Sequence, residues 1–328
     1  MIVITGGAGF IGSALVWELN RRGFDKIIVV DNLDSSEKWK NLRALNYCDY
    51  YSRDQFINMI ENDRVAFNIP TIVHFGACSV TTEKDSSFLM ENNYKYSKKL
   101  YDYAMKRDIR FLYASSAATY GDGERGFDDN EDNLNQLRPL NMYGYSKHLF
   151  DRYVKKRDGF KKSVGLKFFN VFGPNEYHKG AMCSKIFKSY HEVLENGNIS
   201  LFKSEDSEKY PNGDSKRDFV YVKDVVSIVA DIMSNHNING LFNIGTGTPR
   251  SWNDLAKAVF KSMGKSENIN YIDMPENLKG KYQYYTCASN EKINMAGDGN
   301  KARFRSLEES VEDYVKNYLI PNKFLGDE

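Results

Sequence analysis

The stretch Thr5-Gly6-Gly7-Ala8-Gly9-Phe10-Ile11-Gly12 limits what this chain can fold into more than any other. An apolar run from Ile2 to Thr5 precedes it, and Ile11, Leu15 and Leu19 follow at helical spacing until Gly23 closes the repeat. Gly6, Gly9 and Gly12 thus fall at GxxGxxG spacing between a strand and a helix. In that context the first glycine permits a tight turn, and the second lets the backbone approach a pyrophosphate. The third lets helix and strand pack closely, while the helix N-terminus faces the anion. A second apolar run, Ile27 to Val30, ends at Asp31, 19 positions beyond Gly12, where a carboxylate would bind adenosine ribose hydroxyls. The combination specifies a dinucleotide-binding βαβ unit. Asp31 by itself favours NAD. Lys38 and Arg53, however, lie where a 2′-phosphate could be gripped, so the residues leave that choice open.

The first half of the chain continues the alternation of strand and helix that a parallel sheet requires. Strands are expected at 71–75, 111–115 and 164–169, with helices around 92–106 and 145–156. After Gly173-Pro174 the pattern loosens, and residues 203–216 read as an exposed polar loop with a Pro-Asn-Gly turn. A strand over 218–222, a helix from about Asp224, and helices at 252–263 and 307–319 follow. The expected fold is α/β, a Rossmann-type doubly wound parallel sheet with a smaller C-terminal substrate-binding lobe. The sheet domain takes residues 1–172 with a returning segment near 218–243, and the lobe takes 173–217 and 244–328.

Composition removes several function classes. The 45 Lys and Arg nearly cancel the 44 Asp and Glu, and a net charge of +1 argues against nucleic acid or an anionic membrane as partner. No apolar run reaches the length of a membrane span, and the chain enters Ile2-Val3-Ile4 with no basic leader, so a cytoplasmic location is expected. Cys48, Cys78, Cys183 and Cys287 form no CxxC pair and read as reduced thiols. The histidines form no HxxxH or HExxH pair, so no metal is expected.

Tyr143-Gly144-Tyr145-Ser146-Lys147 opens a helical stretch, which puts Tyr143 and Lys147 on one face. A lysine held there lowers the tyrosine pKa, so that a phenolate can take a proton from an alcohol while hydride leaves. Tyr113 to Gly121 ends a strand upstream, where an open α/β sheet faces its ligand crevice. Ser116 there could hydrogen-bond the oxygen that changes between alcohol and carbonyl.

Together TGGAGFIG, SSAATYG, YGYSK, FNVFGP and RDFVYVKDV resemble the extended short-chain dehydrogenase/reductase family of nucleotide-sugar epimerases and dehydratases, over nearly the whole chain. More specific stretches are Gly76-Ala77-Cys78-Ser79 with Thr81-Thr82-Glu83, Asn92-Asn93-Tyr94, His178-Lys179-Gly180, and Leu278-Lys279-Gly280-Lys281-Tyr282-Gln283. These are similar to the branch that inverts C6 of an ADP-bound heptose destined for the lipopolysaccharide core. The resemblance implies Tyr143 as base with Lys147 as its partner, Ser116 on the reacting oxygen, and Lys179 as a second acid/base. It extends the cofactor set to Phe10, Ile11, Asn32, Phe75, Gly76, Ala77, Cys78, Ser79, Asn92 and Val171. Substrate contacts fall to Ser116, Asn170, Ala181, Phe202, Arg217 and Tyr282. It also implies one NADP per subunit, with NAD as the other possibility, and a homo-oligomer, typically a pentamer. Phe75 and Ala181 depart from the family pattern, which has an acid and a serine there, and the loops at 122–137 and 203–216 are longer. A UDP-hexose 4-epimerase shares the general motifs but not His178-Lys179-Gly180 or the 278–283 stretch. A dehydratase would need an acid pair where Ala117-Ala118 stands, and a non-catalytic dinucleotide sensor has no use for Ser116, Tyr143 and Lys147 together.

Overall fold

The computed structural model describes residues 1–204, 208, 210–276, 283–296 and 302–327. Its first half contains β1 (Ile2–Thr5), α1 (Phe10–Arg21), β2 (Ile27–Val30), β3 (Asp49–Tyr51), α2 (Arg53–Glu61) and β4 (Thr71–His74). These are followed by α3 (Ser86–Leu89), α4 (Tyr96–Lys106), β5 (Arg110–Ser116), α5 (Met142–Lys155) and β6 (Ser163–Phe168). Beyond them come β7 (Asn170–Phe172), α6 (Lys185–Asn196), β8 (Ile199–Phe202), β9 (Lys216–Arg217), β10 (Phe219–Tyr221), α7 (Val222–Ser234) and β11 (Gly240–Ile244). The chain closes with β12 (Arg250–Ser251), α8 (Trp252–Ser262), β13 (Ile269–Ile272), α9 (Glu291–Ala296) and α10 (Leu307–Tyr314).

The main sheet runs β11-β6-β5-β4-β1-β2-β3, every pair parallel. Strand order reverses between β1 and β4, so a crevice opens at the carboxyl ends of those strands. Ile27-Ile28-Val29-Val30 is buried along its whole length because helices cover both faces of the sheet. Successive side chains divide between the two faces. Ile4, Val29 and Val73 pack with Leu15 of α1 and Val225 and Val229 of α7. Val3, Ile28 and Ile72 pack with Leu100 of α4 and Phe150 of α5. A separate apolar cluster joins Phe172, Ile186, Ile199, Phe219, Leu255, Val259 and Tyr314 from elements that follow β6. Helix α7 therefore returns the chain to the sheet after the second cluster has begun.

Several boundaries differ from those the sequence suggests. The helix expected from Tyr145 begins at Met142, because the Asn141 side chain accepts the Gly144 N–H at 2.8 Å and caps it. Tyr143 consequently sits in the first turn. The helix expected from Asn92 is a π turn over Met90–Lys95 that passes into α4. Asn93 causes the widening: its buried side chain accepts the Cys78 N–H and donates to the Cys78 carbonyl, both at 2.9 Å. The strand expected over 218–222 stops at Tyr221, where α7 starts. Strands β3, β8 and β13 and helix α2 carry no strong periodicity and were not anticipated; α6 was not anticipated either, although Ile186, Tyr190 and Val193 recur there at helical spacing and are buried. Residues 205–207 and 209 of the polar loop, and 278–282 of the C-terminal motif, lie outside the described residues.

Candidate active site

The crevice is a cavity of about 850 Å³ at the carboxyl ends of β1, β4, β5 and β6. One wall is the glycine turn. Gly6 has φ +69°, and a Cβ on it would stand 2.6 Å from the Gly76 backbone nitrogen. A Cβ on Gly12 would overlap the Gly6 carbonyl oxygen. No side chain caps α1 at Gly9, so the N–H groups of its first turn are left for a ligand in the crevice. This bare backbone cradle fits a pyrophosphate. The Asp31 carboxylate accepts the Ala8 N–H at 3.0 Å and the Asn32 N–H at 2.8 Å, and pairs with Lys38 at 2.7 Å. An adjoining cavity of about 400 Å³ is lined by Asn32, Lys38, Arg53 and Asn92. Arg53 donates there to the Asn92 side-chain oxygen at 2.5 Å.

The catalytic end is formed by β5 and the first turns of α5. Ser116 closes β5, and its hydroxyl lines the crevice together with the Tyr143 phenol. The same hydroxyl accepts the Ala118 N–H at 3.1 Å. Burial pushes the Tyr143 pKa up, and the Ser116 hydroxyl opposes this. Lys147 donates to the Ala114 carbonyl at 3.1 Å. Desolvation brings its pKa down to about 8, against the opposing charge of Asp151. Lys179 enters the same cavity from the 3-10 segment Tyr177–Met182, between β7 and α6. Burial lowers its pKa too, with the buried Glu176 carboxylate opposing. Both lysines are thereby easier to deprotonate than a solvated lysine.

The crevice gathers Gly6, Gly9, Phe10, Ile11, Gly12, Asp31, Lys38, Phe75 to Ser79, Ser116, Tyr143, Lys147, Asn170, Val171 and Lys179 from the sequence reading. Asn32, Arg53 and Asn92 line the adjoining cavity. Phe75, where the family has an acid, packs edge-on against Phe168 with ring centroids 5.4 Å apart. Arg217 is buried behind the rim, donating to the Gln283 carbonyl, with its guanidinium 5.7 Å from the Trp252 ring; both partners line the crevice. Ala181 is exposed and Phe202 ends β8, and neither lines the cavity. Tyr282 lies outside the described residues.

Two asparagines join the site together: Asn93, quoted in the sequence reading only as part of Asn92-Asn93-Tyr94 and given no role, and Asn41, which it did not single out. Asn93 donates to the Ser146 hydroxyl at 3.1 Å and so ties the Cys78 loop to α5. Asn41 donates to the Ala8 carbonyl at 3.0 Å and the Asn175 carbonyl at 3.1 Å, and lies 3.2 Å from His178 Nδ1. It thereby pins the glycine turn to the segment that carries Lys179. Burial holds His178 neutral, its pKa pushed down to about 4. Their partners lie far away in sequence, and no local signal exposes them.

A family model described as the NAD dependent epimerase/dehydratase family matches residues 2–245. An ADP-L-glycero-D-manno-heptose-6-epimerase of Nitratidesulfovibrio vulgaris is 50% identical over 319 residues, covering 97% of this chain and 98% of the relative. A protein of the same name from Fusobacterium nucleatum is 46% identical over 328 residues, covering 97% and 98%. The crystal structure of ADP-L-glycero-D-manno-heptose-6-epimerase from Helicobacter pylori superposes with a TM-score of 0.79 at 26% identity, covering 96% and 95% of the two chains.

Proposed function

Since the chain belongs to the NAD dependent epimerase/dehydratase family, we propose that it interconverts the C6 epimers of ADP-glycero-manno-heptose. The observation that carries this reading is the entry of Tyr143 and Lys179 into one crevice from two different elements. Inverting a secondary alcohol through a ketone presents the oxygen on opposite sides before and after, so two separate proton carriers are needed. A bound pyridine nucleotide supplies the hydride acceptor and donor.

Ser116 holds the C6 oxygen, and Tyr143 takes its proton as the alcohol becomes a ketone. Lys147, one turn along the same helix face, stabilises the phenolate that does this. After the ketone turns over in the crevice, Lys179 returns a proton to the oxygen on its new side; the reverse reaction exchanges the two roles. Burial lowers the pKa of Lys179, which makes it a readier proton donor than a solvated lysine. We assign Asn170, which lines the crevice, to the sugar nucleotide, and Arg217, Tyr282, Ala181 and Phe202 to substrate contacts on the family resemblance alone.

NADP is the cofactor we assign. Lys38 neutralises Asp31, and Arg53 shares the adjoining cavity, which favours a 2′-phosphate over a bare ribose. A nucleotide lobe of residues 1–172 with 218–243, a substrate lobe from the remainder, a cytoplasmic location and a homo-oligomer belong to the same reading. Incubating purified protein with ADP-D-glycero-β-D-manno-heptose, without added reductant, tests it by proton NMR. A mixture with the L-glycero epimer is the expected result. No conversion by nucleotide-loaded protein would overturn the reading.

A further inference from the structure

Helix α5 carries a third polar side chain in line with Tyr143 and Lys147: Asp151, one turn beyond the lysine. Asp151 is fully buried. Its Oδ1 accepts the Tyr113 hydroxyl at 2.9 Å, and its Oδ2 accepts the Ser115 hydroxyl at 2.7 Å. The Lys167 ammonium stands 3.4 Å from Oδ2. Lys167 is itself completely enclosed, donates to Thr119 Oγ1 at 2.5 Å, and lies 4.4 Å from the Tyr120 ring centroid. The pairing of β5 with β6 sets Ser115 opposite Lys167, and Tyr113, two residues earlier, faces the same way.

A fully buried ion pair is a costly way to fill a core, and apolar residues of similar volume often do it as well. Neither Asp151 nor Lys167 lines the crevice. Their charge must act through something that does, and one turn of helix away is Lys147.

We propose that Asp151, backed by Lys167, is the counter-charge for the Lys147 ammonium one turn from Tyr143, so that both are positioning residues for the reaction. The proposal rests on the reading of Tyr143 as base and Lys147 as its partner.

The groups that face Lys147 decide how much Asp151 matters. Asp151 acts on it from its own helix, where Tyr143 lies one turn earlier, while Cys78 acts from the loop after β4 and His74 lies near it at the end of β4. His74 is enclosed between Thr5 at 2.6 Å and Ser97 at 2.7 Å. Burial, aided by Lys147, pushes the His74 pKa down to about 3, so it contributes no charge. His148 on α5 faces Asp151 and Lys167, and burial likewise keeps it neutral, its pKa down to about 4. Among the described residues Asp151 is the carboxylate that acts on Lys147, and Lys167 competes for it. One buried negative charge is shared by two buried positive ones.

Sharing gives opposite signs to the two substitutions. Asp151→Asn leaves two buried ammonium groups with no counter-charge, so Lys147 must lose its proton at lower pH. Lys167→Met leaves Asp151 to Lys147 alone, so Lys147 must hold its proton to higher pH.

The test is a side-chain NMR titration of Lys147 in lysine-labelled protein, assigned with Lys147→Met, alongside the pH profile of kcat for heptose epimerisation. The Lys147 midpoint is expected to fall by about one pH unit in Asp151→Asn and to rise in Lys167→Met. The basic limb of kcat should move with it, while KM for the sugar nucleotide changes less than about twofold. A purely structural role would lower activity without displacing the limb in opposite directions. Should the single variants fail to fold, the double variant Asp151→Asn/Lys167→Met removes the enclosed Asp151–Lys167 pair together and leaves Lys147 as the one ammonium without its counter-charge, and its Lys147 midpoint should lie below that of the parent. Midpoints that do not move, or that move the same way in both single variants, overturn the proposal whatever the activity does. Opposed midpoints with an immobile basic limb overturn it through the reading of Lys147 as the partner of Tyr143.

Discussion

Lys147 and Lys179 are lysines whose burial makes the ammonium easier to deprotonate, and each has a different use for that property. Lys147 works as an ammonium. Its pKa is depressed to about 8, so the charged form dominates below that pH and disappears as pH rises through it. Epimerisation measured from pH 6 to 10 should therefore fall on an alkaline limb centred near pH 8. Lys179 must carry a proton to and fro. Lys179→Met should retain bound nucleotide but epimerise about 10² to 10⁴ times more slowly, and near-parent turnover would remove it from the proton path. Tyr143, Lys147 and Ser116 were legible because helix and strand spacing places them locally. Asp151 and Lys167 were not, because a buried ion pair across 16 residues of sequence looks like two ordinary surface charges until the fold closes. Lys179 was legible only through resemblance, since spacing alone does not separate a proton carrier from a phosphate clamp.

At the scale of elements, the Asn141 cap decides where α5 begins and hence where the Tyr143 ring stands. Asn141→Ala removes that bond at a cost of about 1 kcal/mol. Because the frayed turn holds the base itself, kcat should drop more than thermal stability does, which a paired melting and rate measurement would show. The π turn at Met90–Lys95 has the same logic: a 3.6-residue pattern reads as one helix through it, and only the partners of Asn93 reveal the wider turn. The buried strands were legible as apolar runs, whereas β3, β8 and β13, of 3 and 4 residues, are too short to show a period.

Across the whole molecule, the glycine turn and the run of apolar strands carried the fold, because a parallel sheet covered on both faces leaves little freedom in strand composition. Contacts between distant segments were not readable. Arg110 at the start of β5 donates to the carbonyls of Ile232 at 2.7 Å, Asn235 at 3.0 Å and Ile238 at 2.9 Å, tying the end of α7 and the loop after it to the sheet. Arg110→Ala strands those carbonyls and should cost about 3 kcal/mol, seen as a melting temperature several degrees lower. At the far end of the crevice, Lys38→Ala frees the Asp31 carboxylate to repel a 2′-phosphate. That variant should bind NADP at least about tenfold more weakly while keeping NAD, and equal losses for both nucleotides would contradict the assignment of NADP.

The central claim is that C6 is inverted by removing its hydrogen as hydride and returning the same hydride. Running the reaction in D₂O with unlabelled ADP-D-glycero-β-D-manno-heptose and integrating the C6 proton of the product tests this most directly. Full proton intensity at C6 is the expected result, because the hydride never exchanges with solvent while Tyr143 and Lys179 handle only the oxygen-bound proton. Deuterium at C6 would contradict it, since that hydrogen would then have left as a proton.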